Sequence, residues 1–404
     1  MLAPSSPDRV IALRGGLGAV PGISLTGIHA GFKKRKPDLV LIVADHDCVA
    51  AGCVTTNEIK AAPVLVSNEH LATDGEAIRA LVCNSGCANA CTGERGLHDA
   101  RTTARQTAAL LGVRATQVLV ASTGVIGVPL AMDRMQKGIE RIVELVHEGS
   151  EAAYEAAEAI MTTDHVPKLS AYAFYHEGRR YVVGGIAKGA GMIAPNMATM
   201  LAFVATDAPL SRASLQVTLS EVVADTFNMI SVDGDMSTND SIYALAPKGE
   251  NDALPGFKTA LRAVCEELAV AMVRDGEGAT KTMTVTVSGA ASREQARVVC
   301  KAIINSSLVK CALYGEDPNW GRIVAAAGSV GAGMADGAWR LLLNDKVWVE
   351  RGAVEAISEA EAHAELEGQD VRVLLDLGLG QEQAVGWGCD LTGQYVRINA
   401  HYRT

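Results

Sequence analysis

This sequence has no apolar run long enough to cross a bilayer, and its start, "MLAPSSPDRVIALRGG", lacks the charged head and continuous apolar stretch of a signal peptide. A cytoplasmic protein without a membrane partner is the expectation. Positive charge is also scarce. Beyond "KKRK" at Lys33 to Lys36 there is no basic run, and the formal net charge is -10, which argues against nucleic acid as a partner and for small polar substrates. Paired cysteines are missing too. The nine cysteines are an odd number without short paired spacings, so no disulfide framework is expected. Cys83, Cys87 and Cys91 recur every fourth residue, but no histidine lies among them and zinc ligands usually sit closer together. Small buried thiols, and no metal, are expected there.

Familiar catalytic signatures are equally sparse. No G-x-S-x-G elbow is present, which leaves a serine hydrolase of that type without support. "GEGATKT", Gly276 to Thr282, misses the phosphate loop because Thr280 stands where glycine must precede the lysine. In "GGIAKGAGM", Gly189 and Gly191 are followed by Ala194 in the third position of a dinucleotide fingerprint, and the next element reads as a strand rather than a helix. "DGDMSTND" from Asp233 has Thr238 where a calcium loop needs glycine. It reads as a polar turn held by side-chain to backbone hydrogen bonds. His29, His46 and His98 stand in no recognisable arrangement with serine or cysteine, so they read as structural or surface residues. Any base used here is not expected to be histidine.

What remains is an ordinary folded chain of 404 residues, 49% hydrophobic and 20% charged, long enough for a large core and more than one structural unit. Apolar residues return every three or four positions at 98–112, 132–149, 150–162, 211–227, 255–275 and 292–306, which predicts helices. "AYAFYHEGRRYVVGGIA" predicts a hairpin around "HEGR", and "ATMLAFVATDA" a largely buried strand. Further strands are expected at "KTMTVTVSG", "DVRVLLDLG" and "YVRINA". The order suggests an α/β protein in two comparable halves. No Pro- or Ser-rich linker divides them; the approach to Ala198 carries Gly189, Gly191 and Pro195 and reads as a tight, buried turn. A cut there would have to be made by the protein itself, since an outside protease prefers exposed loop tips.

One nucleophile needs no histidine: an N-terminal threonine, whose own α-amine can take the hydroxyl proton. An α-amine titrates near pH 7.7 to 8.0 in reference peptides, so a useful fraction is basic under physiological conditions. Thr199 would qualify if its hydroxyl attacked the Ala198 carbonyl and water then hydrolysed the resulting ester. The small Ala198 and the upstream glycines would let the turn reach the geometry this needs.

At this point the chain resembles a known family. "KGAGMIAPNMATML" (Lys188 to Leu201) is similar to the self-cleavage segment of the ornithine acetyltransferases, or glutamate N-acetyltransferases, of arginine biosynthesis. "AGFKKRKPDL", "TTNEIKAAPV", "NSGCANACTG", "STGVIG", "MTTD", "ISVDGDMSTNDS", "GEGATK", "GEDPNWGRI" and the terminal "NAHYRT" agree in order, from about Gly27 to Thr404. The resemblance implies a four-layer α/β/β/α sandwich, an α chain of residues 1–198, a β chain of 199–404, and an α2β2 assembly. It implies ping-pong transfer of an acetyl group from N2-acetylornithine to glutamate through acetylated Thr199. No cofactor is implied, and acetyl-CoA is left open as a second donor. Carried onto this sequence, Thr199 would be the nucleophile, Thr123 and Gly124 the oxyanion hole, and Thr162, Lys188, Thr199, Glu277, Asn399 and Thr404 the substrate pocket. A cation, a carboxylate and amide and hydroxyl donors suit an amino acid, but which group meets which is open. The competing reading is a self-processing N-terminal-threonine aminopeptidase or amidohydrolase, in which water takes the acyl group; a processed non-enzymatic protein would show no acetylation at all.

Overall fold

A computed structural model describes residues 10–194, 200–250, 254–334, 337–351 and 353–401. Thr199, Ala198 and Thr404 lie outside these described residues. Ten strands run from β1 (Ile11–Leu13) to β10 (Ser241–Pro247): between them come β2 (Ile23–Ile28), β3 (Leu39–Val54), β4 (Ile78–Cys87), β5 (Val118–Val125), β6 (Lys168–His176), β7 (Arg179–Lys188), β8 (Leu201–Thr206) and the short β9 (Ile230–Ser231). All but β9 form one nine-stranded sheet in the order β1-β6-β7-β8-β10-β3-β4-β5, with β2 added on β3.

That sheet folds over on itself, and β3 is the reason. Its first part, from Leu39, pairs with β2 and β4, while its last part, to Val54, pairs with β10; the register shifts between Val43 and Cys48, where Asp45, His46 and Asp47 are exposed. Strand alternation then sorts the side chains into layers. Val40 and Ile42 of β3, Leu81 and Cys83 of β4, Ile186 of β7, Phe203 of β8 and Tyr243 of β10 share one apolar cluster between the two half-sheets. Their neighbours of opposite parity, Leu41, Val82 and Val120, pack outward against α1 (Ala62–Asp74), α2 (Gly93–Leu111) and α3 (Met132–Ile142). Val183, Val204 and Ala244 pack outward on the other side, with α5 (Arg212–Asp225) and α6 (Phe257–Arg274). The result is the expected four-layer α/β/β/α sandwich.

The helix α4 (Ser150–Ile160) enters the central layer, and its composition shows how. Ala152, Ala153, Ala156, Ala157 and Ala159 are fully buried in that cluster. Gly27 of β2 completes the fit, because a Cβ there would overlap the Glu155 carbonyl oxygen and the Ala159 methyl.

A second, seven-stranded sheet follows. It joins β9 to β11 (Thr282–Ala290), β12 (Arg340–Leu343), β13 (Lys346–Glu350), β14 (Ala353–Val354), β15 (Asp370–Asp376) and β16 (Glu382–Cys389). Val285 and Val373 pack in one core with Val299 and Ile303 of α7 (Arg293–Asn305); α8 (Ser307–Tyr314), α9 (Trp320–Gly328), α10 (Glu359–Ala364) and α11 (Gly393–His401) complete this part.

Three expectations are corrected. The chain does not divide into comparable halves at 198, because β8 and β10 lie between β7 and β3 in the first sheet. The helix at 132–149 ends at Ile142, after which the backbone of His147 exchanges hydrogen bonds of 2.9 and 3.2 Å with Leu25. "YVRINA" is helical rather than a strand. Thr392 Oγ1 accepts from the Gln394 and Tyr395 N–H groups at the start of α11, and α11 buries none of its residues, so the alternation of Val396 and Ile398 marks no sheet face.

Candidate active site

The strand ends that meet at one edge of the sandwich surround a cleft of about 90 Å³. Six of the expected site residues line it: Thr123, Gly124, Thr162, Lys188, Glu277 and Asn399. They come from five separated stretches of chain, so only the fold brings them together. Thr199 and Thr404 lie outside the described residues, but Leu201 pairs with Lys188 in the β7–β8 ladder, so the strand that begins two residues after Thr199 starts beside the cleft.

Thr123 and Gly124 sit at the end of β5. Gly124 has a φ of 129°, and a Cβ there would overlap the backbone of Gly86 and Cys87 on β4. Only glycine allows that approach. The turn is locked by buried amides: Asn84 Oδ1 accepts from Ser122 Oγ at 2.6 Å, and Asn239 Nδ2 donates to the Ala88 and Ser122 carbonyls at 2.7 and 2.9 Å. Thr123 is 3% exposed, and its Oγ1 accepts a hydrogen bond of 3.2 Å from Lys188 Nζ. Since that bond fills an acceptor position, the Thr123 proton is left to donate.

Lys188 ends β7 and is only 2% exposed, not a solvated strand end. Burial pulls the pKa of its ammonium down, Asp164 opposes this, Lys168 adds to it, and Asp240 and Cys83 oppose it. Asp164 follows α4. It accepts from the Thr162 N–H at 3.0 Å, the Gly189 N–H at 2.7 Å and Lys168 Nζ at 2.7 Å. Burial opposes its ionisation, yet the charges of Lys168 and Lys188 and these donors prevail and hold its pKa at about 2. Lys168 also pairs with Asp275 at 2.6 Å, which in turn accepts from the His165 N–H at 3.0 Å. On the other side, Lys33 Nζ donates to the carbonyls of Ala159 and Met161 at 3.3 and 2.6 Å, satisfying the C-terminal end of α4 just before Thr162. Burial draws the Lys33 pKa down to about 8, against the attraction of Asp38.

Glu277 lines the same cleft and is 6% exposed. Its N–H donates to the Ala190 carbonyl at 2.8 Å, and its Oε2 accepts from Asn399 Nδ2 on α11 at 2.8 Å. A Cβ at Gly191 would overlap the Glu277 carboxylate, so the glycine leaves that carboxylate its place in the cleft. The "DGDMSTND" segment is the polar turn expected: Asp233 accepts from the Met192, Ile193 and Asp235 N–H groups at 2.6, 2.8 and 3.2 Å. It pins the loop upstream of Ala198, and Met192 holds a positive φ of 55° there. Sequence reasoning missed what this turn adds to the site. Ser237 and Asn239 line the cleft, and Asp240, whose pKa burial raises well above the ordinary value, accepts from the Met200 N–H at 3.0 Å. Their signal was the quoted motif itself, read only as a turn.

His29, His46 and His98 are exposed and stand apart from the cleft lining. Cys83 and Cys87 are buried as expected, while Cys91 is exposed. Among the described residues no group of three or more His, Cys, Asp and Glu side chains could hold a metal, and no helix is long and apolar enough to cross a membrane.

The profile of the ArgJ family matches residues 24–404. An "Arginine biosynthesis bifunctional protein ArgJ" from Symbiobacterium thermophilum is 46% identical over 403 residues, covering 97% of this chain and 99% of its own. A protein of the same name from Bacillus cereus is 43% identical over 392 residues, covering 95% of each. The solved ornithine acetyltransferase from Mycobacterium tuberculosis, complexed with ornithine, is 41% identical over 46% of this chain and 98% of the solved one, with a TM-score of 0.43.

Proposed function

This chain belongs to the ArgJ family, and from that premise we propose that it is an acyltransferase of arginine biosynthesis, moving an acetyl group from N2-acetylornithine to glutamate on Thr199. The observation that carries the site assignment is the convergence of Thr123, Thr162, Lys188, Glu277 and Asn399 on one cleft beside the start of β8. A buried cation, a buried carboxylate and hydroxyl and amide groups within one small cleft suit a substrate with an α-carboxylate and ammonium groups.

The chemistry begins with processing. The Thr199 hydroxyl attacks the Ala198 carbonyl, the C–N bond breaks, and water hydrolyses the ester, leaving a carboxylate on Ala198 and a free α-amine on Thr199. In the first half-reaction that amine takes the hydroxyl proton while Thr199 oxygen attacks the acetyl carbonyl of N2-acetylornithine. The resulting oxyanion is met by the Thr123 hydroxyl and the Gly124 N–H; preorganised donors of this kind are typically worth about 3 kcal/mol each. The proton passes to the departing nitrogen, ornithine leaves, and the acetyl ester remains. Glutamate then attacks through its amine, and collapse of the second oxyanion regenerates Thr199. Thr404 belongs to the same proposed pocket. No cofactor is needed. Since the relatives are named bifunctional, acetyl-CoA is the second donor this reading adds, and glutamate-dependent release of free thiol from acetyl-CoA tests it.

The deciding experiment is denaturing intact mass before and after brief incubation with N2-acetylornithine. Two fragments that meet between Ala198 and Thr199, the C-terminal one gaining a single acetyl group that glutamate removes, support the reading. Loss of the acetyl group to water alone would make the protein a hydrolase, and an uncut chain that never acetylates would sink the assignment.

A further inference from the structure

Behind the cleft lies a chain of buried charges that the acetyl-transfer steps above do not use. Lys168 Nζ sits 2.7 Å from Asp164 and 2.6 Å from Asp275, with its side chain 1% exposed. Asp164 is completely shielded and holds both walls of the cleft: Thr162 through its N–H on one side, and Gly189, the residue after Lys188, on the other. Lys188 Nζ then donates to Thr123 Oγ1 at 3.2 Å. Asp164 thus holds the backbone at the end of the Lys188 strand through the Gly189 N–H, and Lys188 in turn reaches the hydroxyl assigned to the oxyanion.

We infer that Asp164 is a positioning residue for acyl transfer, acting through Lys188 on the Thr123 hydroxyl. This rests on the acetyltransferase reading of the site. An ammonium that donates to Thr123 Oγ1 fixes the Thr123 proton toward the acyl carbonyl and shares the negative charge that develops there. A fully buried lysine stays charged only with a fixed anion near it. The groups that face Lys188 are Asp164 after α4, Lys168 on β6, Lys33 after β2, Cys83 on β4 and Asp240 before β10. Asp164 is the foremost of them in holding the charge, and Lys168 works against it. The two members of one ion pair therefore act on Lys188 in opposite directions.

That opposition is the test. The processed enzyme is assayed for kcat and KM with N2-acetylornithine and glutamate from about pH 6 to about pH 10, where the Thr199 amine sets the acidic limb and Lys188 the alkaline one. Asp164→Asn should lower kcat about tenfold or more at neutral pH, with KM changed less than about threefold, and should move the alkaline limb down by about one pH unit. Lys168→Met should move the same limb up. If Lys168→Met is too unstable to purify, Lys168→Met with Asp275→Asn removes one charge of each sign, and because Lys168 acts on Lys188 more strongly than Asp275 does, it should still move the limb up, by less. A rise in KM with kcat unchanged, shifts in the same direction, or unmoved limbs with only a lower Tm would overturn the inference. Acetylation of the wild-type chain in the mass experiment keeps a failure here separate from a failure of the function itself.

Discussion

Thr123 lines the cleft and its oxygen already accepts from Lys188, so its proton is left to donate to the proposed oxyanion. Thr123→Val keeps the shape and removes both. Its kcat should fall about 10²- to 10³-fold, as for loss of one oxyanion donor, whereas Thr123→Ser should keep most of the rate. Lys188→Met and Glu277→Gln, which alter the charges expected to meet the amino acid, should raise KM or slow acyl transfer while still permitting the cut; unchanged kinetics in both would remove them from the site. Asp164 adds a stability prediction. Its folded pKa of about 2 lies below the ordinary carboxylate value, so its contribution is complete above about pH 4 and is lost as pH falls through about 2. Urea midpoints measured at stepwise lower pH should therefore fall more steeply for the wild type than for Asp164→Asn.

Elements place these residues by close approach. Helix α4 reaches the centre of the sandwich because it presents alanines to a strand that presents Gly27. Gly27→Ala would push the helix outward, and the expected loss is about 1–3 kcal/mol, read as a Tm lower by several degrees. The helix also ends where Lys33 ties its last carbonyls beside Thr162, so the same variant should bind N2-acetylornithine less tightly. Much of this level was legible in sequence. Helical periodicity located α2, α4, α5, α6 and α7, and the buried run at Leu201 to Thr206 gave β8, because each has a face or a whole strand committed to the core. The misreadings fall where that commitment fails. Residues after Ile142 leave the helix for a bridge to Leu25, a partner far away in sequence, and α11 has no buried face whose period could be read. In the site, the motif resemblance named Thr123, Lys188 and Glu277, and the quoted turn motif held Ser237 and Asp240 without showing that they reach the cleft and β8; the Lys168 to Asp275 link joins distant segments, and no local spacing announces it.

For the whole molecule, the consequential feature is that residues before 199 and after it share one sheet. β8 is bonded to β7 on one side and β10 on the other, and β10 is bonded to β3. Ile186 and Phe203, from opposite sides of the proposed cut, meet in the same central core. A protein cut between Ala198 and Thr199 should therefore hold its two fragments together: a tag on the N-terminal fragment should retain the C-terminal one through washing with high salt, and release it only in denaturant. Release by salt alone would contradict the interleaved sheet.

The same interleaving dictates an order of events. Without β8 and β10, β7 and the later part of β3 would be left as open edges; without β7 and β3, β8 and β10 have no flanking partners. On the proposed cut, assembly of the sheet is expected to come first, with the intact chain tethering β7 to β8 as the strands come into register. Two genes encoding the fragments separately should therefore deliver aggregation-prone halves, and the proposed cut is expected to follow folding rather than prepare for it.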